Sequence, residues 1–225
     1  MLHRVLKISF FALFIRPFVF IFLGLNLRGR KNLPEKGPAI VSANHNSHLD
    51  TLVLISLFPL KEVHRVRPIA AADYFFKHPV LAWIAINIIG IIPIERKEGV
   101  AKEHIFDSCH HALNREEILI LYPEGSRGIP EKMGEIKKGL YHLVCNREDS
   151  PRIIPVVMHG LGRVLPKGEK FLIPFNCDVI IGEPLNYKHK DSSSEEVTLT
   201  VLEFVDSLKS KYNQLFKYCL TRPKF

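Results

Sequence analysis

The feature that most constrains this chain is a series of short apolar runs separated by helix-like segments. Ala39–Ala43, Pro68–Ala72, Ile91–Ile94, Ile118–Tyr122, Ile153–Met158 and Val179–Ile181 all read as buried strands. Between them lie Leu49–Leu57, Pro79–Ile88, Val100–Leu113 and a segment running from Lys138 through Leu140–Cys145. Pro79 suits the first turn of a helix. The alternation predicts one α/β domain with a largely parallel central sheet flanked by helices, its site built from loops at strand ends. A closing amphipathic helix follows from Val197, Val201, Phe204, Val205, Leu208, Tyr212 and Leu215 at helical spacing. Ser192-x-x-Glu195 and Ser193-x-x-Glu196 resemble capping boxes for it. With 225 residues, 47% of them hydrophobic, the chain can bury one sizeable core.

The N-terminus is unusual. Val5 to Leu27 is mostly apolar and rich in Phe, interrupted by Lys7, Arg16 and Asn26. The uncharged run from Pro17 to Leu27 is shorter than the roughly 20 residues that a bilayer span needs. Two membrane readings follow. One is a pair of short helices broken at Arg16-Pro17 and dipping into one leaflet, with the arginine snorkelling to the headgroups. The other is a tilted, imperfect transmembrane helix. A buried helical hairpin is the soluble alternative. Arg28, Arg30 and Lys31 would sit at headgroup level, which places the globular domain on the cytoplasmic face. The turn NLPEKGP then separates a membrane-associating segment, residues 1–31, from a catalytic domain, residues 32–225.

The net charge of +8 suits nucleic acid, an anionic membrane surface, or acidic substrates and carriers. Nucleic acid fits least, because the basic residues are not interleaved with stacking aromatics. Cys109, Cys145, Cys177 and Cys219 are widely spaced, with no Cys-x-x-Cys pair. That argues against a zinc ribbon, a thioredoxin-type site or a disulfide framework, and they read as reduced, mostly buried small hydrophobes.

Chemistry concentrates in three places. Asn44-His45-Asn46-Ser47-His48-Leu49-Asp50 follows a buried strand and opens an apolar helix. Buried polar groups need partners, so such a turn is costly unless it is used. In one continuous helix His45 and Asp50 would point apart. With His45 in the turn and Asp50 in the first helical turn, the carboxylate can fold back onto the imidazole and fix its tautomer. The other ring nitrogen could then take a proton from a hydroxyl, with no serine or cysteine nucleophile. His45, His48 and Asp50 could instead hold a metal for hydrolysis. Second, Tyr122-Pro123-Glu124-Gly125-Ser126-Arg127-Gly128 ends a strand with small residues that allow close approach of a ligand, and Arg127 offers a planar fork for phosphate. Lys137-Lys138-Gly139 adds positive charge ten residues on. Third, Gly90-Ile91-Ile92-Pro93-Ile94-Glu95-Arg96 is a strand ending in an arginine. A non-catalytic module that docks on anionic membranes is the non-enzyme alternative.

Taken together, NHNSHLD, GIIPIER, YPEGSRG, IKKG and Ile154-Pro155-Val156 resemble, in order and spacing, the sequence blocks of the PlsC-like glycerolipid acyltransferases. The resemblance implies that His45 is the general base and Asp50 its orienting partner. It implies headgroup contacts from Arg96, Arg127 and Lys137, acceptor-site positions at Glu124, Gly125 and Ser126, and a crevice shaped by Pro155. It implies an acyl group passed from acyl-CoA or acyl-carrier protein to the hydroxyl of a lysophosphatidate-type lipid in phospholipid biosynthesis, with no metal or redox cofactor. Three positions depart from the family pattern. Tyr122 replaces a Phe, Pro93 stands where an aromatic is common, and Gly128 replaces a Ser. The last two are expected to touch the acceptor side.

Overall fold

The computed structural model describes residues 2–75, 78–95, 104–129, 132–145, 147, 151–164, 177–185 and 201–220. Among these residues seven strands form one sheet: β1 (Leu25–Arg28), β2 (Ala39–Ala43), β3 (Val66–Ala71), β4 (Ile92–Ile94), β5 (Ile118–Leu121), β6 (Arg152–His159) and β7 (Cys177–Ile181). Their order is β1-β7-β6-β2-β5-β3-β4, and every pairing is parallel except β6 with β7.

The helices are α1 (from Leu2–Phe10 into π turns at Phe11–Ile15 and Phe18–Phe22), α2 (Asp50–Ser56), α3 (Ala72–Phe75) and α4 (Pro79–Ile84, continuing as a π turn over Ala85–Ile89). They continue with α5 (Asp107–Asn114), α6 (Gly139–Cys145), α7 (Leu161–Val164) and α8 (Val201–Leu220).

The strands read as solid apolar runs because both sheet faces are covered. Ala39, Val41 and Ala43 of β2 point to a core shared with α1 and α2, through Phe11, Ile15, Val53 and Leu54. Ile40, on the same strand, points the other way, into a core with Leu113 of α5, Leu140 of α6 and Phe204, Leu208 and Tyr212 of α8. The closing helix thus packs on the sheet as its spacing predicts. Val197 and both capping boxes lie outside the described residues. Cys109 and Cys177 are buried and Cys219 is half-buried.

The apolar N-terminus differs from expectation in three ways. First, the reading of a helix pair broken at Arg16-Pro17 fails and that of one continuous helix holds: both residues keep right-handed helical angles, and the Arg16 N–H donates to Phe11 O, five residues back. The wider π turns accommodate a proline whose ring would crowd an ordinary α-helical ladder. Second, Arg16 does not reach outward. Its guanidinium donates to the carbonyls of Ser56 (3.2 Å) and Phe58, satisfying acceptors at the C-terminus of α2. Lys7 is likewise turned inward, donating to Val66 O and Ile89 O at 2.6 Å each. Burial first, then the nearby Arg67 charge, lowers its pKa to about 7. Third, Leu25–Arg28, the end of the apolar stretch, is a strand paired in parallel with β7. The helix from His3 to Phe22 is long and apolar enough to cross a membrane. Its Phe11, Ile15, Val19 and Leu23 stripe is buried in the core, whereas Leu13, Phe14, Phe20 and Ile21 are exposed.

Candidate active site

The carboxyl end of a central strand in a parallel sheet faces a crevice, and β2 delivers the His45 turn there. The turn is held from three sides. Asn44, fully buried, accepts from Met158 N–H (2.7 Å) and donates to Met158 O (2.8 Å), extending the β2–β6 pairing past the strand end. Asn46 adds a bond to Met158 O at 3.3 Å. Asp50 opens α2 and turns its carboxylate back onto the loop. Its Oδ2 faces His45 Nδ1 at 2.9 Å and accepts the N–H groups of Asn46 (2.6 Å) and Ser47 (2.8 Å). Asp50 is fully buried. The chain reversal that sequence reasoning required is therefore present, and it leaves His45 Nε2 for chemistry.

The imidazole is also fixed by stacking. The Tyr122 ring lies 4.0 Å from it, centroid to centroid, at 15°. The Tyr122 hydroxyl bonds Thr51 Oγ1 at 2.8 Å. Burial and the Asp50 charge raise the Tyr122 pKa well above 10, so the phenol stays protonated. The hydroxyl that distinguishes this residue from Phe thus ties β5 to α2.

Glu124 does not line the cleft described below, and its carboxylate is engaged by backbone. It is buried, and its carboxylate accepts the N–H of His45 (2.8 Å) and of Gly134 (2.8 Å). Burial raises its pKa, with the two N–H bonds opposing that rise. Glu124 is therefore a clamp between the His45 turn and the loop after β5. Gly128 donates its N–H to His45 O at 2.9 Å, and a Cβ there would stand 2.8 Å from the pinned Glu124 Oε2. A glycine at 128 thus leaves room for the Glu124 carboxylate.

A cleft of about 600 Å³ opens in front of His45. Gly125, Ser126 and Arg127 line it, together with His48 and Thr51. Gly125 takes φ +70°, a conformation that favours glycine. The Arg127 guanidinium contacts His48 Nε2. Burial first, then the Arg127 charge, lowers the His48 pKa, so a neutral imidazole stands beside the guanidinium. His48 and Arg127 thus form one polar wall of the cleft. Among the described residues no three His, Cys, Asp or Glu side chains converge as a metal site.

Three more of the expected residues lie outside this cleft, and several that line it were not anticipated. Lys137 is exposed and outside the cleft lining, and its backbone N–H donates to Pro123 O (2.8 Å). Pro93 lies on the edge strand β4, beside Arg67 and Ser108 and outside the cleft. Pro155 sits inside β6 against Gly182, also away from the cleft. Arg96 lies outside the described residues. Missed were the apolar walls: Leu52 of α2, Ile69–Ala71 at the end of β3, and Ile89 and Ile91. The signal was available, because the C-terminal end of any parallel strand beside β2 and β5 borders the same crevice.

Comparison with known proteins agrees with this geometry. Residues 24–159, more than half of the chain, match the family model described as Acyltransferase. A chloroplastic 1-acyl-sn-glycerol-3-phosphate acyltransferase, LPAT1 of Arabidopsis thaliana, is 25% identical over 84% of this chain and 51% of its own. The 1-acyl-sn-glycerol-3-phosphate acyltransferase alpha of Mus musculus is 29% identical over 72% of this chain and 55% of its own. The chain thus spans about half the length of these relatives. The crystal structure of PlsC, the 1-acyl-sn-glycerophosphate acyltransferase of Thermotoga maritima, superposes with a TM-score of 0.71 at 21% identity, covering 98% of this chain and 82% of that one. On the family match and the shared PlsC-like fold, this chain belongs to the acyltransferase family.

Proposed function

We propose that this protein transfers a fatty acyl group from a thioester to the free hydroxyl of a lysophosphatidate at a membrane surface, as a step of phospholipid biosynthesis. The observation that carries the reading is the buried Asp50 carboxylate holding His45 Nδ1 at 2.9 Å, in a cleft that also presents Arg127.

His45 Nε2 takes the acceptor hydroxyl proton as that oxygen attacks the thioester carbonyl carbon. Asp50 stabilises the imidazolium that forms. The tetrahedral intermediate collapses with cleavage of the C–S bond, and the imidazolium returns the proton to the leaving thiolate. Products are a diacyl phospholipid and a free thiol. Arg127, steadied by His48, holds the acceptor phosphate and so brings the hydroxyl to the base. Leu52, Ile69, Ile89 and Ile91 offer apolar wall to the lipid chain. The donor is acyl-CoA or acyl-carrier protein, both acidic and suited to a chain of net charge +8. The apolar face of α1 and the exposed Arg28, Arg30 and Lys31 support docking on anionic lipid at the cytoplasmic face.

The test is to incubate purified protein with lysophosphatidate, glycerol 3-phosphate and lyso-aminolipids against both donor types, and to identify products by mass spectrometry. Phosphatidate formed from lysophosphatidate is the expected product. Release of free fatty acid as the dominant product would instead make the protein a thioester hydrolase.

A further inference from the structure

Helix α4, with its π-turn extension, is apolar all round but for Asn87: PVLAWIAINII. A helix of that kind belongs in a core or in lipid. Here it lies at the surface, with Val80 69%, Leu81 53%, Trp83 52% and Ile86 41% exposed. Its extension packs beside the first turns of α1, where Lys7 bonds Ile89 O. Neither helix carries an Asp or Glu, and α1 begins with the exposed Arg4 and leads through β1 to the exposed Arg28, Arg30 and Lys31. The combination of apolar surface and purely basic charge complements anionic lipid better than it does an ordinary protein partner.

Two further details fit hydrocarbon. Asn87, the helix's only polar side chain besides the indole N–H, donates to the carbonyl of Trp83 (2.9 Å), which reduces the polarity the helix presents. Trp83, the single tryptophan of the chain, has the amphipathic ring favoured at the membrane interface. At the other end, Ile89 and Ile91 line the catalytic cleft.

We propose that Pro79–Ile89 is a second membrane-inserting element, which enters the same leaflet as α1 and joins the cleft wall to the hydrocarbon. A lyso-lipid would then pass from bilayer to cleft along apolar surface. This inference rests on the reading of the substrate as a membrane lipid, and its test separates the two.

Because Trp83 is unique, its fluorescence reports α4 alone. Full-length protein is mixed with vesicles of phosphatidylcholine and phosphatidylglycerol, with and without brominated acyl chains. The expected result is a shift of emission to shorter wavelength on binding, with quenching by the brominated lipid. Val80→Asp/Leu81→Asp is expected to lower vesicle partitioning by about tenfold or more. Its circular dichroism and its turnover of a short-chain, water-soluble lyso-substrate should stay unchanged. Protein that sediments with vesicles while Trp83 keeps a water-like spectrum overturns the inference and leaves the membrane reading intact. Protein that does not sediment with vesicles, under conditions where lysophosphatidate is still acylated, overturns both the inference and the membrane reading. Trp83 emission already blue-shifted without lipid, together with a dimer by light scattering, overturns the inference in favour of a second copy covering the face.

Discussion

Replacing Asp50 separates its structural work from its catalytic work. Asp50 Oδ2 serves three donors, of which the Asn46 and Ser47 amides belong to fully buried residues. Asp50→Ala would strand both amides, at about 1–3 kcal/mol each. The resulting loss of about 2–6 kcal/mol is a large share of a typical domain stability of about 5–15 kcal/mol. A dead Asp50→Ala enzyme would therefore say little about catalysis. Asp50→Asn keeps an oxygen where the three donors converge. Its new NH2 group replaces Oδ1, which has no partner among the described residues. The expected cost is about 1–3 kcal/mol, and each kcal/mol lowers Tm by roughly 2–4 °C in a chain of this size. The catalytic loss is of another order, because the amide cannot stabilise the imidazolium. The same change in a serine–histidine–aspartate triad costs about 10⁴-fold in kcat, and about 10³–10⁴-fold is expected here. The assay pairs a thermal melt with phosphatidate formation at saturating substrates. A folded Asp50→Asn protein keeping more than a tenth of wild-type kcat would refute the assigned role.

Other outcomes follow from the same geometry. Arg127→Ala should raise KM for lysophosphatidate about tenfold or more, with a smaller effect on KM for the donor, measured by initial rates. His48→Gln, which can still accept from the guanidinium, should keep KM lower than His48→Ala does. Equal KM values for the two would remove His48 from the anion wall. Glu124→Ala should lower kcat by releasing the His45 turn and cost about 1–3 kcal/mol from the stranded His45 N–H, the Gly134 amide being open to water, read by chemical denaturation. Lys7 has its pKa lowered to about 7, so between pH 7 and about 10.5 the unfolded chain holds a proton that the folded chain lacks. Its contribution should make stability rise with pH across that window, and denaturation of Lys7→Met should lose that slope.

The strands and the dyad were legible in the sequence because their causes are local. A sheet covered on both faces favours apolar residues along the whole strand: β5 is apolar throughout, β2 but for the buried Ser42, and β6 from Ile153 to Met158. His45 and Asp50 lie five residues apart, within reach of a single turn. What stayed hidden depends on distant partners. The bonds of Glu124 to two backbone amides, one of them 79 residues away in the chain, have no local signature. Arg127 and His48 are equally far apart, and no local pattern pairs them. Pro17 ordinarily ends a helix, and only the π register around it keeps α1 continuous. Leu25–Arg28 was invisible as a strand because it sits at the tail of a longer apolar stretch that reads as helix.

The most direct test of the proposed chemistry is the rate of phosphatidate formation by His45→Ala, measured with purified protein, lysophosphatidate and an acyl thioester. The imidazole faces a cleft and its loop is held through Asn44, Asp50 and Glu124, so the variant should stay folded with KM values near wild type. Its kcat should fall by about 10²–10⁴-fold, the usual share of a positioned general base. A folded His45→Ala protein that acylates lysophosphatidate within a few-fold of the wild-type rate would contradict the account.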